Sequence, residues 1–147
     1  MATIQLPPDF REFLKLLNSS RVEYLVIGGY AVNFYGFARA TADLDLWIAM
    51  APENAQRVAK AVRDFGFQQA SEGTFLEPRK VIRMGVPPVR IEIITSISGV
   101  EFSECYSRRI DAELDGIPVQ LIGLEDLKAN KRASGRLKDL LDLEQLR

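Results

Sequence analysis

Two aspartates separated by one residue, Asp43 and Asp45, have the type and spacing best suited to chemistry in this sequence. They lie in residues 43–48, where apolar and polar residues alternate as in a β-strand. Alternate side chains of a strand share a face, so the two carboxylates point the same way, about 7 Å apart along the strand. Carboxylates this close raise each other's pKa unless a cation lies between them. The pair therefore predicts a site for a hard cation such as Mg²⁺ or Mn²⁺.

A pair of glycines upstream, Gly28 and Gly29, predicts a phosphate site. They follow the apolar run 24–27 and precede the helix-forming run 30–35, a pattern typical of a strand, a turn and a helix. Glycine permits positive φ and close backbone approach, and the free N–H groups of a helix start bind phosphate. A Gly-Gly pair alone also forms ordinary turns, but a following Asp-x-Asp strand favours the phosphate site.

Together these residues resemble the signature of the nucleotidyltransferase superfamily related to DNA polymerase beta. Within this superfamily, the chain resembles the small bacterial members. Those members include nucleotidyltransferases associated with toxin-antitoxin pairs. The resemblance implies an α+β nucleotidyltransferase fold with a mixed, mainly antiparallel sheet backed by helices. The matching residues are Ile27, Gly28, Gly29, Asp43, Leu44, Asp45 and Leu46.

The resemblance also implies a third carboxylate on a later strand, and Glu92 occupies the matching position within residues 89–93. From the pattern alone, this segment reads as an edge strand whose solvated face carries Arg90 and Glu92. The family usually has aspartate at this position. Three roles stay open for the longer Glu92: a metal ligand, a base for the incoming hydroxyl, or neither.

Three further residues are candidates for nucleotide binding. Arg39 and Thr41 directly precede the aspartates, where a guanidinium group pairs either with a triphosphate or with the aspartates in the absence of metal. Lys131 projects from the apolar stripe of a helix near the C-terminus. Its head group either extends into water or contacts phosphate, and the resemblance supports the phosphate contact.

The resemblance extends to a phrase of lysine, arginine and aspartate residues near the C-terminus. Within it, Arg136 and Asp139 are spaced as a helical ion pair, which predicts a structural link between the final helix and the sheet. The phrase in this chain is Lys131, Arg136, Lys138, Asp139 and Asp142.

The remaining sequence predicts the framework that positions these residues. The chain of 147 residues is expected to form one nucleotidyltransferase-like domain, residues 1–147, with helices in 124–147 packed on the sheet. Asp115 and Gly116 predict a hairpin turn between two alternating runs, and Pro118 predicts a free edge for the second strand. Trp47 shares the face of the aspartates, but a core position is favoured.

Composition excludes several classes of chemistry. The chain has no histidine, which excludes Ser-His-Asp, Cys-His and His-rich zinc sites. The formal net charge of −1 argues against general coating of nucleic acid. The single cysteine, Cys105, cannot form an internal disulfide. Because no run is apolar enough for a signal peptide or a membrane span, we expect a cytoplasmic protein without a membrane partner.

The resemblance therefore implies metal-dependent transfer of a nucleoside monophosphate from a nucleoside triphosphate to an acceptor. The acceptor is left open among RNA (including tRNA), protein and small molecules. The existence of a cognate partner protein is also left open. The alternative is a catalytically inert nucleotide-binding or toxin-antitoxin interaction protein of the same fold. The implied roles are catalysis and metal binding for Asp43, Asp45 and Glu92, and nucleotide binding for Gly28, Gly29, Arg39, Thr41 and Lys131.

Overall fold

The computed structural model describes residues 4–38 and 40–146, and these residues form both helices and strands. In chain order the elements are α1 (Pro8–Ser19), β1 (Tyr24–Ile27), α2 (Gly28–Phe34), β2 (Asp43–Ile48), α3 (Pro52–Asp64), a 3₁₀ turn (Glu72–Leu76), β3 (Val81–Val86), β4 (Val89–Ile94), α4 (Phe102–Ser107), β5 (Ile110–Leu114), β6 (Ile117–Leu121), α5 (Leu124–Ser134) and α6 (Leu137–Gln145).

The strands form one six-stranded sheet in the order β3-β4-β2-β1-β6-β5. The pairs β1/β6 and β2/β4 are parallel, and the other three pairs are antiparallel. The predicted α+β fold with a mixed, mainly antiparallel sheet is therefore confirmed. No helix in the described ranges is long and apolar enough to cross a membrane.

The two faces of the sheet differ in polarity because apolar and charged residues alternate along its central strands. Leu44 and Leu46 of β2 and Ile93 of β4 are almost completely buried. Helix α1 packs against β4, β6 and α3, so this apolar face forms the main core. The opposite face of β2 carries Asp43 and Asp45. Burial of the apolar face therefore fixes the direction in which the carboxylates point.

The hairpin of β5 and β6 forms in the predicted register, with Leu114 opposite Ile117 and the turn at Asp115 and Gly116. The free edge predicted from Pro118 is wrong, because β6 lies between β5 and β1. Its pairing with β1 is centred on Leu121, three residues beyond the proline, so the missing N–H of Pro118 does not interrupt it.

Trp47 is a core residue, as favoured from the sequence, with 1% of its surface exposed. Its indole N–H donates to the carbonyl oxygen of Thr95 at 3.3 Å, and its ring meets Phe102 of α4 edge to face. On the face of β2 that carries the aspartates, the strand is therefore covered by packed side chains from Trp47 onward.

Candidate active site

The parallel pairing of β2 and β4 brings three carboxylates together. In this register Asp45 lies opposite Glu92, and Asp43 lies opposite Arg90. One oxygen each from Asp43, Asp45 and Glu92 lies within 4.8 Å of the other two. Among the described residues this is the one group of three or more acidic, histidine or cysteine side chains placed to hold a metal ion.

The environment of the carboxylates fits a divalent cation. Asp43 Oδ1 and Asp45 Oδ1 are buried, and neither finds a hydrogen-bond donor in the described part of the chain. Burial and the charges of Glu92 and Asp43 raise the pKa of Asp45 to about 7. A buried acceptor without a hydrogen-bond partner lowers the stability of the fold. A cation between the carboxylates would offset their loss of hydration and the repulsion between their charges. A set of metal ligands made only of oxygen atoms suits Mg²⁺ or Mn²⁺.

Two arginines lie against this cluster. Arg90 Nη2 lies 3.0 Å from Asp43 Oδ2 and 3.3 Å from Glu92 Oε1. Arg83 Nε lies 3.2 Å from the same oxygen of Glu92. The sequence predicted Arg39 as a partner either of a triphosphate or of the aspartates, but Arg39 lies outside the described residues. The alternation of β4 placed Arg90 on the face of Glu92, but only the strand order brings it to Asp43.

The two glycines lie at the junction of β1 and α2, beside the carboxylates. Gly28 has φ +68°, in the left-handed region that favours glycine, and starts α2 directly after Ile27. Ile27 lies opposite Asp45 in the antiparallel β1/β2 pair. A Cβ atom at Gly28 would overlap the Asp45 carboxylate. The glycine therefore allows the backbone to approach Asp45 as closely as it does.

A cavity of about 460 Å³ opens beside Asp45 and Glu92. Such a volume lies within the usual range for small-molecule sites. Asp43 and Thr41 are not among its lining residues, and the Thr41 hydroxyl donates to the Asp43 carbonyl at 3.3 Å. The cavity is lined by the glycine turn, β3, β4, the loop after β4, and the C-terminal segment that contains α5 and α6. The polar residues that the loop and the C-terminal segment contribute are Ser96, Ser98, Asn130, Lys131, Ser134, Arg136, Lys138 and Asp139.

Lys131 lines this cavity, but its ammonium group is held by two aspartates. Its Nζ lies 2.8 Å from Asp139 Oδ1 and 3.1 Å from Asp142 Oδ2, and the residue is 4% exposed. Asp139 also accepts from Arg136 Nε at 2.9 Å and from the Ser134 hydroxyl. The helical ion pair expected of Arg136 and Asp139 is present, but the other partners of Asp139 lie on α5 and not, as predicted, on the sheet. These contacts join α5 to α6 and favour a structural role for Lys131.

This network predicts a specific loss of stability in acid. Burial opposes ionisation of Asp139, but hydrogen bonds from Lys131, Ser134 and Arg136 prevail and lower its pKa to about 2. A lowered folded-state pKa stabilises the fold above the unfolded value of about 3.9, and this contribution disappears as the pH falls from about 4 to about 2. We expect a loss of about 2 kcal/mol from this group.

Urea denaturation of the native chain and of Asp139→Asn over this pH range measures the effect. The difference between their free energies of unfolding should shrink as the pH falls. A difference that is constant with pH would show that Asp139 does not keep its lowered pKa.

Lys138 is the exposed cation that sequence reasoning left without a role. It lines the cavity, and its charge opposes the rise in the pKa of Asp45. Unlike Lys131, it makes no ion pair with the residues that the structure describes. The sequence carried no signal for this position, because the place of Lys138 depends on the contacts that its neighbour Asp139 makes with α5.

Residues 8–147 match the sequence model of a family described as nucleotidyl transferases of unknown function. No curated protein matches the sequence.

Several solved structures share the fold at low sequence identity. The antibiotic-resistance factor ANT(2″)-Ia is 12% identical, with 92% of this chain and 79% of that chain covered and a TM-score of 0.61. A putative nucleotidyltransferase from Thermotoga maritima is 15% identical, with 98% and 94% covered and a TM-score of 0.60. The lincosamide antibiotic adenylyltransferase LnuA, solved with lincomycin bound, is 14% identical, with 98% of each chain covered and a TM-score of 0.58. These similarities show a common fold.

Proposed function

The chain belongs to the family of nucleotidyl transferases that it matches over residues 8–147, and we propose that it is an active, metal-dependent nucleotidyltransferase. It moves a nucleoside monophosphate from a nucleoside triphosphate to an acceptor hydroxyl and releases pyrophosphate. One observation carries the proposal: three carboxylates converge beside a nucleotide-sized cavity, and two of their buried oxygens lack a donor among the described residues.

Asp43, Asp45 and Glu92 are the residues that would hold Mg²⁺ or Mn²⁺. A divalent metal held there neutralises charge on the reacting phosphate and lowers the pKa of the attacking hydroxyl. Gly28 and Gly29 present backbone N–H groups to the β and γ phosphates at the start of α2. Their position next to Asp45 supports binding of the triphosphate across the glycine turn.

The transfer step exchanges one phosphorus-oxygen bond for another. The acceptor oxygen bonds to the α-phosphorus as the bond to the bridging oxygen breaks, and pyrophosphate leaves with the electron pair. Glu92 accepts the proton of the acceptor hydroxyl. Its side chain is 14% exposed, and it lines the cavity, so it is both partly desolvated and accessible.

The cations near the cavity have separate roles in this proposal. Lys138 contacts the phosphates, and Lys131 acts indirectly by holding α6, which carries Lys138, against α5. Thr41 acts through its hydrogen bond to the backbone of Asp43. A phosphate contact by Arg39 remains a prediction from the sequence.

Removal of Lys138 should weaken nucleotide binding without changing stability. We expect Lys138→Ala to raise the Kd of the preferred triphosphate with Mg²⁺ by about fivefold to tenfold, because one charge-assisted contact is lost. The free energy of unfolding should stay within about 0.5 kcal/mol of the native value, since the side chain is exposed and forms no ion pair with a described residue. Calorimetry with a non-hydrolysable analogue measures the Kd. Lys15→Ala, an exposed lysine of α1, is the matched control, and equal Kd values for the two variants would remove Lys138 from the site.

The proposed function is tested by calorimetric titration of ATP, GTP, CTP and UTP in Mg²⁺ and again in EDTA. We expect at least one triphosphate to bind in Mg²⁺, to bind much more weakly in EDTA, and to bind poorly to the Asp43→Asn, Asp45→Asn double variant. Failure of the native chain to bind any triphosphate would refute the proposal.

The inert nucleotide-binding alternative is favoured by one observation, namely that Arg83 and Arg90 already neutralise Glu92. Glu92→Asp separates the two functions. In an active enzyme the substitution changes the rate of transfer, because the shorter side chain places its carboxylate farther from the metal or the acceptor. In an inert protein it leaves the absence of turnover unchanged, or restores activity by matching the usual residue of the superfamily.

The acceptor is to be sought first among small hydroxyl compounds. Two of the structural neighbours are described with antibiotics, one with adenylyl-2″-tobramycin and one with lincomycin. This likeness sets an order for the search, and RNA, protein and a cognate partner protein follow in it. A labelled nucleotide transferred to one class and not to the others identifies the acceptor.

A further inference from the structure

Arg90 bridges two of the three carboxylates with a single nitrogen. Its Nη2 contacts Asp43 Oδ2 and Glu92 Oε1, and the side chains of Arg90 and Asp43 are each 28% exposed. Arg90 and Asp43 are cross-strand partners in the β2/β4 pair, and Glu92 follows two residues later on the same face of β4. The guanidinium group therefore occupies space between groups that would have to converge on a shared metal ion.

We infer that Arg90 and a divalent cation compete for the same two carboxylates, so that Arg90 must leave Asp43 and Glu92 before a metal ion can bind both. The inference rests on the proposed metal site. It assigns Arg90 the role of an internal cation. In the absence of metal, Arg90 keeps the carboxylates together, and it weakens the binding of a metal ion that arrives without nucleotide.

The charges of the cluster support an exchange rather than an addition. When all three carboxylates are ionised, as metal binding would require, they and the two guanidinium groups leave one formal negative charge. Exchange of Arg90 for a divalent cation makes the cluster neutral, whereas addition of the cation with Arg90 in place makes it positive. A cluster with a net positive charge, in which the Arg90 guanidinium group and the metal ion lie in contact, is unfavourable in a partly buried site.

The contacts of Arg90 show that it is an incomplete substitute for a metal ion. Asp43 Oδ1, Asp45 Oδ1 and Arg90 Nε all remain buried without a partner among the described residues. In that part of the chain, the ion pairs of the Arg90 side chain are both with carboxylates. No other hydrogen bond or ion pair with a described residue holds the guanidinium group, so its departure breaks only polar contacts that the metal replaces.

Competition and structural support predict opposite results when Arg90 is removed. If Arg90 only organises the carboxylates, its loss weakens metal binding. If it competes, its loss strengthens metal binding. We expect Arg90→Met, which keeps much of the chain length without charge, to lower the Kd for Mn²⁺ about tenfold in the absence of nucleotide. Arg90→Lys, which keeps the charge, should fall between the native chain and Arg90→Met.

The experiment measures Mn²⁺ affinity by electron paramagnetic resonance on the native chain, Arg90→Met, Arg90→Lys and Lys15→Met. Lys15→Met is the control because it removes one positive charge from an exposed position of α1 that does not line the cavity. We expect it to change the Kd by no more than about twofold. A gain in Arg90→Met no larger than in Lys15→Met would overturn the inference, because it would reflect only the general loss of positive charge.

The outcomes separate the inference from the proposed function. If the native chain binds Mn²⁺ and Arg90→Met binds it no more tightly, competition is wrong and the metal site stands. If neither the native chain nor any variant binds Mn²⁺, the metal site and the competition both fail.

Should Arg90→Met fail to fold, the native chain itself provides the test. The side-chain N–H resonance of Arg90, assigned by its absence in Arg90→Lys, should shift on titration with Mg²⁺. A resonance that does not respond while Mg²⁺ binds would overturn the inference.

Discussion

Asp45→Asn should reduce nucleotidyl transfer about a thousandfold and at the same time make the metal-free protein more stable. The loss of activity follows from removal of one of the three proposed metal ligands. The gain in stability follows from the raised pKa of Asp45, about 7, which burial and the charges of Glu92 and Asp43 cause. Because the folded state holds its proton to higher pH than the unfolded state, the native protein loses stability as the pH rises from about 4 to about 7.

The variant removes this loss, so the gain should be largest above about pH 7 and should disappear near pH 4. Thermal unfolding in EDTA measures it, and we expect an increase in Tm of about 3–6 °C at pH 8. Pyrophosphate release from the preferred triphosphate measures the transfer. Asp111→Asn is the control, because Asp111 is an exposed aspartate of β5 whose side chain is 78% accessible. An Asp45→Asn protein that is less stable in EDTA, or that retains transfer, would contradict the account.

Gly28→Ala should abolish the close approach of the glycine turn to Asp45. Alanine at φ +68° costs about 1–2 kcal/mol from the left-handed backbone alone. In addition, its Cβ overlaps the Asp45 carboxylate, so the turn or the aspartate must shift. We expect a further loss of about 1–3 kcal/mol and a fall in transfer of about a hundredfold, since small displacements of reacting groups have effects of this size.

Gly116→Ala is a matched control for the backbone term. Gly116 lies in the β5/β6 turn with φ +79°, and a Cβ there meets no atom within 4 Å. Chemical denaturation should show a similar backbone cost in both variants, with the additional loss confined to Gly28→Ala. Full activity in Gly116→Ala and reduced activity and Mn²⁺ affinity in Gly28→Ala are expected. Equal behaviour of the two would show that the contact with Asp45 does not limit the site.

The features that could be predicted from the sequence are those encoded in local spacing. The alternation of β2 placed Asp43 and Asp45 on one face, and the Asp115-Gly116 turn fixed the register of the last hairpin. Trp47, on the face of the aspartates, was correctly assigned to the core. In each case neighbouring residues in the chain were sufficient, because the period of a strand and the geometry of a two-residue turn are local properties.

The features that the sequence did not reveal depend on the order of strands. Pro118 predicted a free edge for β6, but the strand lies inside the sheet, since the pairing with β1 begins beyond the proline. The contact of Arg90 with Asp43 needs the parallel pairing of β2 and β4, which are separated by α3 and β3. Likewise, the two aspartates that hold Lys131 became visible only with the packing of α5 and α6.

The proposed metal and phosphate sites are tested directly by anomalous diffraction from crystals grown with Mn²⁺ and a non-hydrolysable analogue of the triphosphate that binds. We expect manganese peaks at oxygens of Asp43, Asp45 and Glu92. We also expect phosphate oxygens against the backbone of Gly28 and Gly29, and Arg90 withdrawn from Asp43. Triphosphate bound elsewhere, or bound at the glycines with no manganese on the three carboxylates, would contradict the proposal.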